Sequence, residues 1–516
     1  MIAALALTFA GLLLVGAPMA VAMALSSTIA FLVQGSTPLK LVVQTIYAGM
    51  DSFLFLAVPL FILAGNLMEF GGITRRLVAL AHALVGHFWG GLGMVTVVGE
   101  ILFSEISGST TADVSAIGSI MTPALLQSGY GPGRAVAIVS ASAGMGILVP
   151  PCITMLVLAS LANLSVAALF MAGFLPAFTM ATLIMVLIAV QAKRENIPRQ
   201  GRFSWKRLGA TLLDALIALG MPAIIFGGIL GGVFTATEAA AVAVFYGLLV
   251  GMFVYKEIQP RQLIGIFARS AVLTATVGFL VGAAGIFAFI LASGKIPQAV
   301  TQAILSVSEA PTFFMVVSLI VFLSIGLILE GLPAVIVLFP IMQPVARQVG
   351  IDPLHYAIVA TAAIGVGIFI PPLGVGYLIA CGIGRIRASD AIRPMLPYVA
   401  VLLLGLLIVA LVPGITLILP RLLGLYLFPA PRMPAFSCLG PCERPNGLLD
   451  FISRHASFGY PSHQARPLGD LSSEGKVQAK DSYHRSHFRK RIPTQPSSSG
   501  QAGPAGRRPP DSAPTP

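Results

Sequence analysis

The stretch G-M-G-I-L-V-P-P at residues 144–151 recurs as G-V-G-I-F-I-P-P at residues 365–372, and this recurrence decides the fold. Shifted by 221 residues, the segment from Ile120 to Ala159 falls on Ile341 to Ala380. Ile120, Met121, Pro123, Gly129, Pro132, Ala141, Gly144, Gly146, Ile147, Pro150, Pro151 and Ala159 each meet an identical residue. Most of these are Gly or Pro, residues that set backbone shape and not oiliness. A double proline removes two amide donors and clashes with the preceding turn, so an α-helix breaks there. In lipid a broken backbone is tolerated only where it is buried in protein or lines a cavity. Paired breaks at corresponding points of two halves point to the central site of a transporter. The alternative is a pair of packing kinks, since Gly and Pro are common in membrane helices.

Working outward, the chain is built for lipid. Of its 516 residues 57% are hydrophobic and 10% charged, against about 25% charged in soluble domains. Apolar runs fill Met1 to about Phe428 and give roughly ten to twelve membrane passes. The first run is too long and lacks a basic start, so a cleaved signal peptide is not expected. Residues 1–191 read as a first membrane half and 208–428 as a second. Between them, residues 192–207 carry Lys193, Arg194, Arg199, Arg202, Lys206 and Arg207, a basic loop that should stay cytoplasmic. From 429 to 516 Pro, Ser, Gly and Arg accumulate and apolar periodicity vanishes, so this tail should be disordered. Half of the net charge of +12 lies in that tail, so it is no nucleic-acid footprint. Cys152, Cys381, Cys438 and Cys442 make no disulfide framework and no zinc spacing.

Before each double proline lies a turn inside an apolar stretch. The first is E-I-S-G-S-T-T-A-D, Glu105 to Asp113, placing a hairpin near 104–127 ahead of a broken helix near 144–152. The second is L-E-G-L-P, Leu329 to Pro333, placing a hairpin near 329–348 ahead of a broken helix near 365–373. Ser107, Gly108, Ser109 and Thr110 supply hydroxyls and a backbone that can turn sharply, and such a turn presents oxygens to a hard cation. A solvent loop with a Ser/Thr helix cap is the other reading. Intramembrane acids are functional candidates by default. Here they are Glu100, Glu105, Asp113, Glu238 and Glu330, with Asp113, Glu238 and Glu330 ranked first. A structural ion pair or a cap stays open for each.

In order and spacing the chain resembles the large permease subunit of tripartite ATP-independent periplasmic (TRAP) transporters, the DctM-like type. The resemblance runs through G-A-P-M-A-V-A-M-A-L (16–25), A-V-P-L-F-I-L-A-G-N-L-M (57–68), G-G-I-T-R-R-L (71–77), S-G-S-T-T-A-D (107–113) and G-I-L-V-P-P (146–151). It continues in F-T-A-T-E-A-A-A-V-A (234–243), G-I-D-P (350–353) and I-P-P-L-G-V-G-Y (370–377). It implies an all-α integral membrane protein of two inverted-topology repeats, each with a re-entrant hairpin and a broken helix, moving as an elevator. It also implies Na⁺ as coupling ion, a small membrane subunit and a periplasmic solute-binding protein as partners, and organic-acid substrates: C4-dicarboxylates, sialic acid or oxo-acids. The family's Ser-Gly-Ser turn falls on Ser107, Gly108 and Ser109, its breaks on Pro150, Pro151, Pro371 and Pro372, and its Thr-x-Thr-Glu element on Thr235, Thr237 and Glu238. Cys152 stands where a Ser often follows the first break. Ala363 and Ile370 replace an Asn and a Thr near the second, so ligation there leans on the carbonyls of Gly365 and Gly367.

Other classes fit less well. No G-x-x-x-x-G-K-[ST] phosphate cradle occurs, which disfavours an ATP-driven pump, and no cofactor is expected. An intramembrane hydrolase would need a nucleophile beside a base, or a set such as H-E-x-x-H. His82, His87 and His355 stand in no zinc spacing. A carrier of anions without a binding protein and a passive channel are the remaining alternatives in the same class.

Overall fold

The computed structural model describes residues 1–35, 40–107, 110–197, 199 and 203–426, with 105–107 described by backbone alone. The basic loop is described only in part, and the tail from 429 lies outside the described residues. Every regular element among those residues is helical. The first half comprises α1 (Ile2–Leu14), α2 (Met19–Gln34), α3 (Lys40–Met50), α4 (Ala57–Phe70), α5 (Ile73–Val85), α6 (Gly91–Ser107), α7 (Thr110–Gln127), α8 (Pro132–Gly146), α9 (Ile153–Ala162) and α10 (Val166–Arg194). The second comprises α11 (Trp205–Leu230), α12 (Ala236–Leu249), α13 (Pro260–Ser293), α14 (Ile296–Val307), α15 (Pro311–Gly326), α16 (Gly331–Gln348), α17 (Pro353–Gly367), α18 (Val375–Gly384), α19 (Ala388–Leu411) and α20 (Pro413–Leu422).

Local chemistry sets these boundaries. Gly129 and Gly350 follow α7 and α16 with φ of +91° and +78°, left-handed positions that only Gly adopts cheaply. Pro132 and Pro353 then open α8 and α17 at the first helical position, where a missing amide costs nothing. Both helices stop ahead of a double proline, and the Pro150–Pro151 and Pro371–Pro372 bonds are both cis. Lys193 and Arg194 close α10, where positive charge complements the helix dipole.

The repeat read from the sequence reappears in the helix ends. Thr110–Gln127 and Pro132–Gly146, moved by 221 residues, land on Gly331–Gln348 and Pro353–Gly367. Beyond the break the offset becomes 222. Ile153 corresponds to Val375 and Val166 to Ala388, and the left-handed caps Asn163 and Arg385 agree. The second break therefore holds one extra residue, and Ala159 corresponds in structure to Cys381, not to Ala380.

Among the described residues, six helices are long and apolar enough to cross a bilayer alone: 53–70, α10, α11, 236–254, α13 and α19. Several shorter apolar helices accompany them, because the breaks divide what would be single spans into α8 with α9 and α17 with α18. At the centre lie α8 and α17. Every residue of α17 is buried, as are all of α8 from Ala135 onward. Lipid tails are as apolar as leucine, so burial alone does not drive such helices together. Small residues do, by letting backbones approach. The run S-A-S-A-G-M-G of α8 and A-T-A-A-I-G-V-G of α17 supply them. The halves also cross over: α7 packs on α18, α16 packs on α9, and α8 packs on α17.

Candidate functional site

In the first half α6 and α7 pack side by side as a helical hairpin. Ser107 closes α6 by its backbone, and Gly108 and Ser109, which come next in the sequence, lie outside the described residues. Thr110 opens α7 and is buried. Asp113 follows one turn later, 1% exposed, with Oδ2 accepting from the Ser104 hydroxyl at 2.8 Å. An acid in the first turn of a helix meets the positive end of its dipole.

In the second half α15 and α16 form the corresponding hairpin, and Glu330 is the residue capping α16. The Thr111 hydroxyl donates to Glu330 Oε1 at 2.9 Å. One hydrogen bond thus ties the start of α7 to the start of α16 across 219 residues of sequence.

Behind the tips the breaks touch. A methyl at Gly365 would stand 2.7 Å from the Gly144 carbonyl and 2.5 Å from Ile147 Cγ2. One at Gly144 would meet Phe369 at 3.2 Å, and one at Gly367 would stand 2.8 Å from the Leu323 carbonyl. At Gly365 and Gly367 two backbones approach closely. The Gly146 and Gly367 carbonyls accept from Val149 N at 2.9 Å and Ile370 N at 3.1 Å, the same turn in each half. The two breaks differ in setting. Pro150, Pro151 and Cys152 are buried, whereas Pro371 is half-buried and Pro372 and Leu373 are exposed.

Glu238 has a local partner set. Its Oε2 accepts from Thr235 N and Thr235 Oγ1, each at 2.8 Å, and Glu238 N donates to Thr235 Oγ1 at 3.4 Å. This is a capping box that starts α12, and Thr237 Oγ1 lies 3.0 Å from Thr235 Oγ1. The helix packs on α4 and α11.

The structure therefore joins Thr111 with Glu330, Ser104 with Asp113, and Gly144 with Gly365, while Glu238 is engaged in its own cap. Sequence reading named the acids, Glu100 among them though not ranked first, but missed Ser104. Glu100 is fully buried on α6, one turn before Ser104. The four-residue spacing of Glu100 and Ser104 is the signal that puts both on one helix face. Hydroxyls, carboxylates and carbonyls form an all-oxygen donor set, suited to hard cations and poor for soft metals.

Comparison with known proteins adds the following. The family model described as "Tripartite ATP-independent periplasmic transporter, DctM component" matches residues 6–415. The chain is 36% identical to the C4-dicarboxylate TRAP transporter large permease protein DctM of Pseudomonas aeruginosa, over 73% of this chain and 88% of that one. It is 32% identical to the 2,3-diketo-L-gulonate TRAP transporter large permease protein YiaN of Escherichia coli, over 80% and 98%. Among solved structures it is similar to the YdaH transporter of Alcanivorax borkumensis, with a TM-score of 0.52 at 16% identity, covering 72% of this chain and 88% of that one. That likeness concerns the fold.

Proposed function

The chain belongs to the DctM-component family of tripartite ATP-independent periplasmic transporters, multi-pass proteins of the bacterial inner membrane, and from that premise we propose that it carries organic acids inward on a sodium gradient. It works with a small membrane subunit and a periplasmic solute-binding protein that delivers the substrate. The substrate class is C4-dicarboxylates, sialic acid or sugar-derived oxo-acids. The supporting observation is that both hairpins and both breaks converge: Thr111 reaches Glu330 while Gly144 lies against Gly365.

Energy decides the coupling. Bringing a divalent carboxylate into a negative interior costs roughly 4.6 kcal/mol per 100 mV, twice the value for one charge. Two sodium ions only neutralise the substrate. A third makes the membrane potential itself a driving force. Ser107, Gly108, Ser109 and Thr110 provide the oxygens of the first ion site, helped by Asp113, and the carbonyls of Gly365 and Gly367 face the second. Glu330 links the two tips. A transport domain drawn from both halves holds these residues and moves against a scaffold, carrying substrate and ions together.

The test is uptake into vesicles holding the chain and both partner proteins, under an imposed sodium gradient. Ser107→Ala and Ser109→Ala should raise the sodium concentration for half-maximal uptake. Equal uptake on protons alone, or unchanged sodium dependence in both variants, would refute the assignment. Full uptake without the soluble protein would point to a carrier that captures its own substrate.

A further inference from the structure

We propose that Glu100, with Asp113 and Ser104, forms a further, interior sodium site on the stem of the first hairpin, distinct from the tip site and from the one at the Gly365 and Gly367 carbonyls. This rests on the cation-coupled reading above and deepens it. Glu100 has no surface exposure, and neither carboxylate oxygen has a hydrogen-bond partner among the described residues. A buried carboxylate left without partners is among the costliest arrangements a protein can hold. No described side chain on its own helix relieves it. Thr96, one turn earlier on the same buried stripe, spends its hydroxyl on Leu92 O at 3.0 Å, and Ser104, one turn later, gives its hydroxyl to Asp113. Asp113, on α7, is a neighbour of the same sign: it accepts from Ser104, which lies one turn along α6 from Glu100. Cys152, in the break after α8, faces Asp113 in turn.

Among the described residues, no positively charged side chain is paired with Glu100. Asp113 has the Ser104 hydroxyl and the N-terminus of α7. Glu100 has neither. A bare monovalent ion between the two carboxylates would find oxygens from Glu100 and Asp113, with the remaining lone pairs of Ser104 Oγ completing a hard-cation shell. The end of α8 packs closely on the Ser104–Asp113 pair. A methyl at Gly146 would collide with Ser104 Oγ and stand 3.4 Å from Asp113 Oδ2, so glycine keeps this backbone against the pair. The second half has no counterpart: Ala334 occupies the place that Asp113 holds in the first, which makes the interior site a property of one repeat only.

The experiment is equilibrium binding of radiolabelled sodium to the full chain in lipid nanodiscs, with choline chloride holding ionic strength constant. Glu100→Gln keeps the side chain's shape and should bind one sodium ion fewer per chain. Ser104→Ala should weaken that ion by about tenfold, roughly 1.4 kcal/mol, and serves as the readout if Glu100→Gln does not fold. Ser109→Ala, run beside them, reports the hairpin-tip site separately. Sodium binding unchanged in number and affinity in Glu100→Gln and Ser104→Ala overturns the interior site, whatever Ser109→Ala does. So does a Glu100→Gln variant that loses only a pH dependence of melting while its sodium count stands, which would mean that Glu100 carries a proton. A sodium count lowered by Glu100→Gln and untouched by Ser109→Ala upholds the interior site and removes the tip site.

Discussion

At the scale of single residues, two kinds of contact control the centre, and they respond to mutation differently. The Thr111–Glu330 bond is exposed, so losing it should cost about 0.5–1.5 kcal/mol at most. Thr111→Val should therefore barely move the melting temperature yet reduce uptake, since it unties the tips; uptake equal to wild type would show the bond to be incidental. Gly365→Ala is the opposite case. Its methyl would press on the Gly144 carbonyl at 2.7 Å, and overpacking of this kind costs about 1–3 kcal/mol. Thermal unfolding in detergent should show a clear drop for Gly365→Ala and none for Gly382→Ala, where nothing lies within 4 Å. Residue types were legible in the sequence. T-x-x-E at Thr235–Glu238 is a local cap pattern, and contacts within one helical turn need no tertiary knowledge. Partners across 219 residues are set by packing, which is why Thr111 gave no hint of Glu330 and why the isolation of Glu100 was invisible.

At the scale of elements, the breaks were the most legible feature, because proline acts through its own ring and missing amide whatever surrounds it. The polar turns before them also marked real helix junctions, one between α6 and α7 and one between α15 and α16. Replacing Pro150 and Pro151, or Pro371 and Pro372, by Ala should let helix extend across the break and abolish uptake beyond any loss of expression. The first pair is buried and the second more exposed, so the first replacement should also lower the yield of folded protein while the second should not. Monodisperse yield by size exclusion, set against uptake per folded molecule, separates the two effects; wild-type uptake from both would reduce the breaks to kinks. What the sequence did not disclose was the extra residue in the second break. Identity at Ala159 and Ala380 carried the 221 offset past the point where the helix caps abandon it.

At the scale of the whole molecule, composition was enough to read a helical membrane protein, since it is a sum over many residues and survives local error. The crossing of α7 onto α18 and α16 onto α9 was not readable, because apolar helices in lipid choose partners by shape and not by hydrophobicity. Truncation after Phe428 removes a segment without core-forming pattern and should leave insertion and uptake intact; loss of folded protein in detergent would contradict this. The added residue in the second break has a consequence for anyone transferring results between halves. One residue turns an α-helix by about 100°, so a substitution mapped from α9 to α18 by the offset that serves α8 and α17 lands on a different face. A scan of paired mutations should therefore show matched phenotypes at 221 up to the prolines and at 222 beyond them, and a designed half-swap must cut and rejoin at that hinge in register.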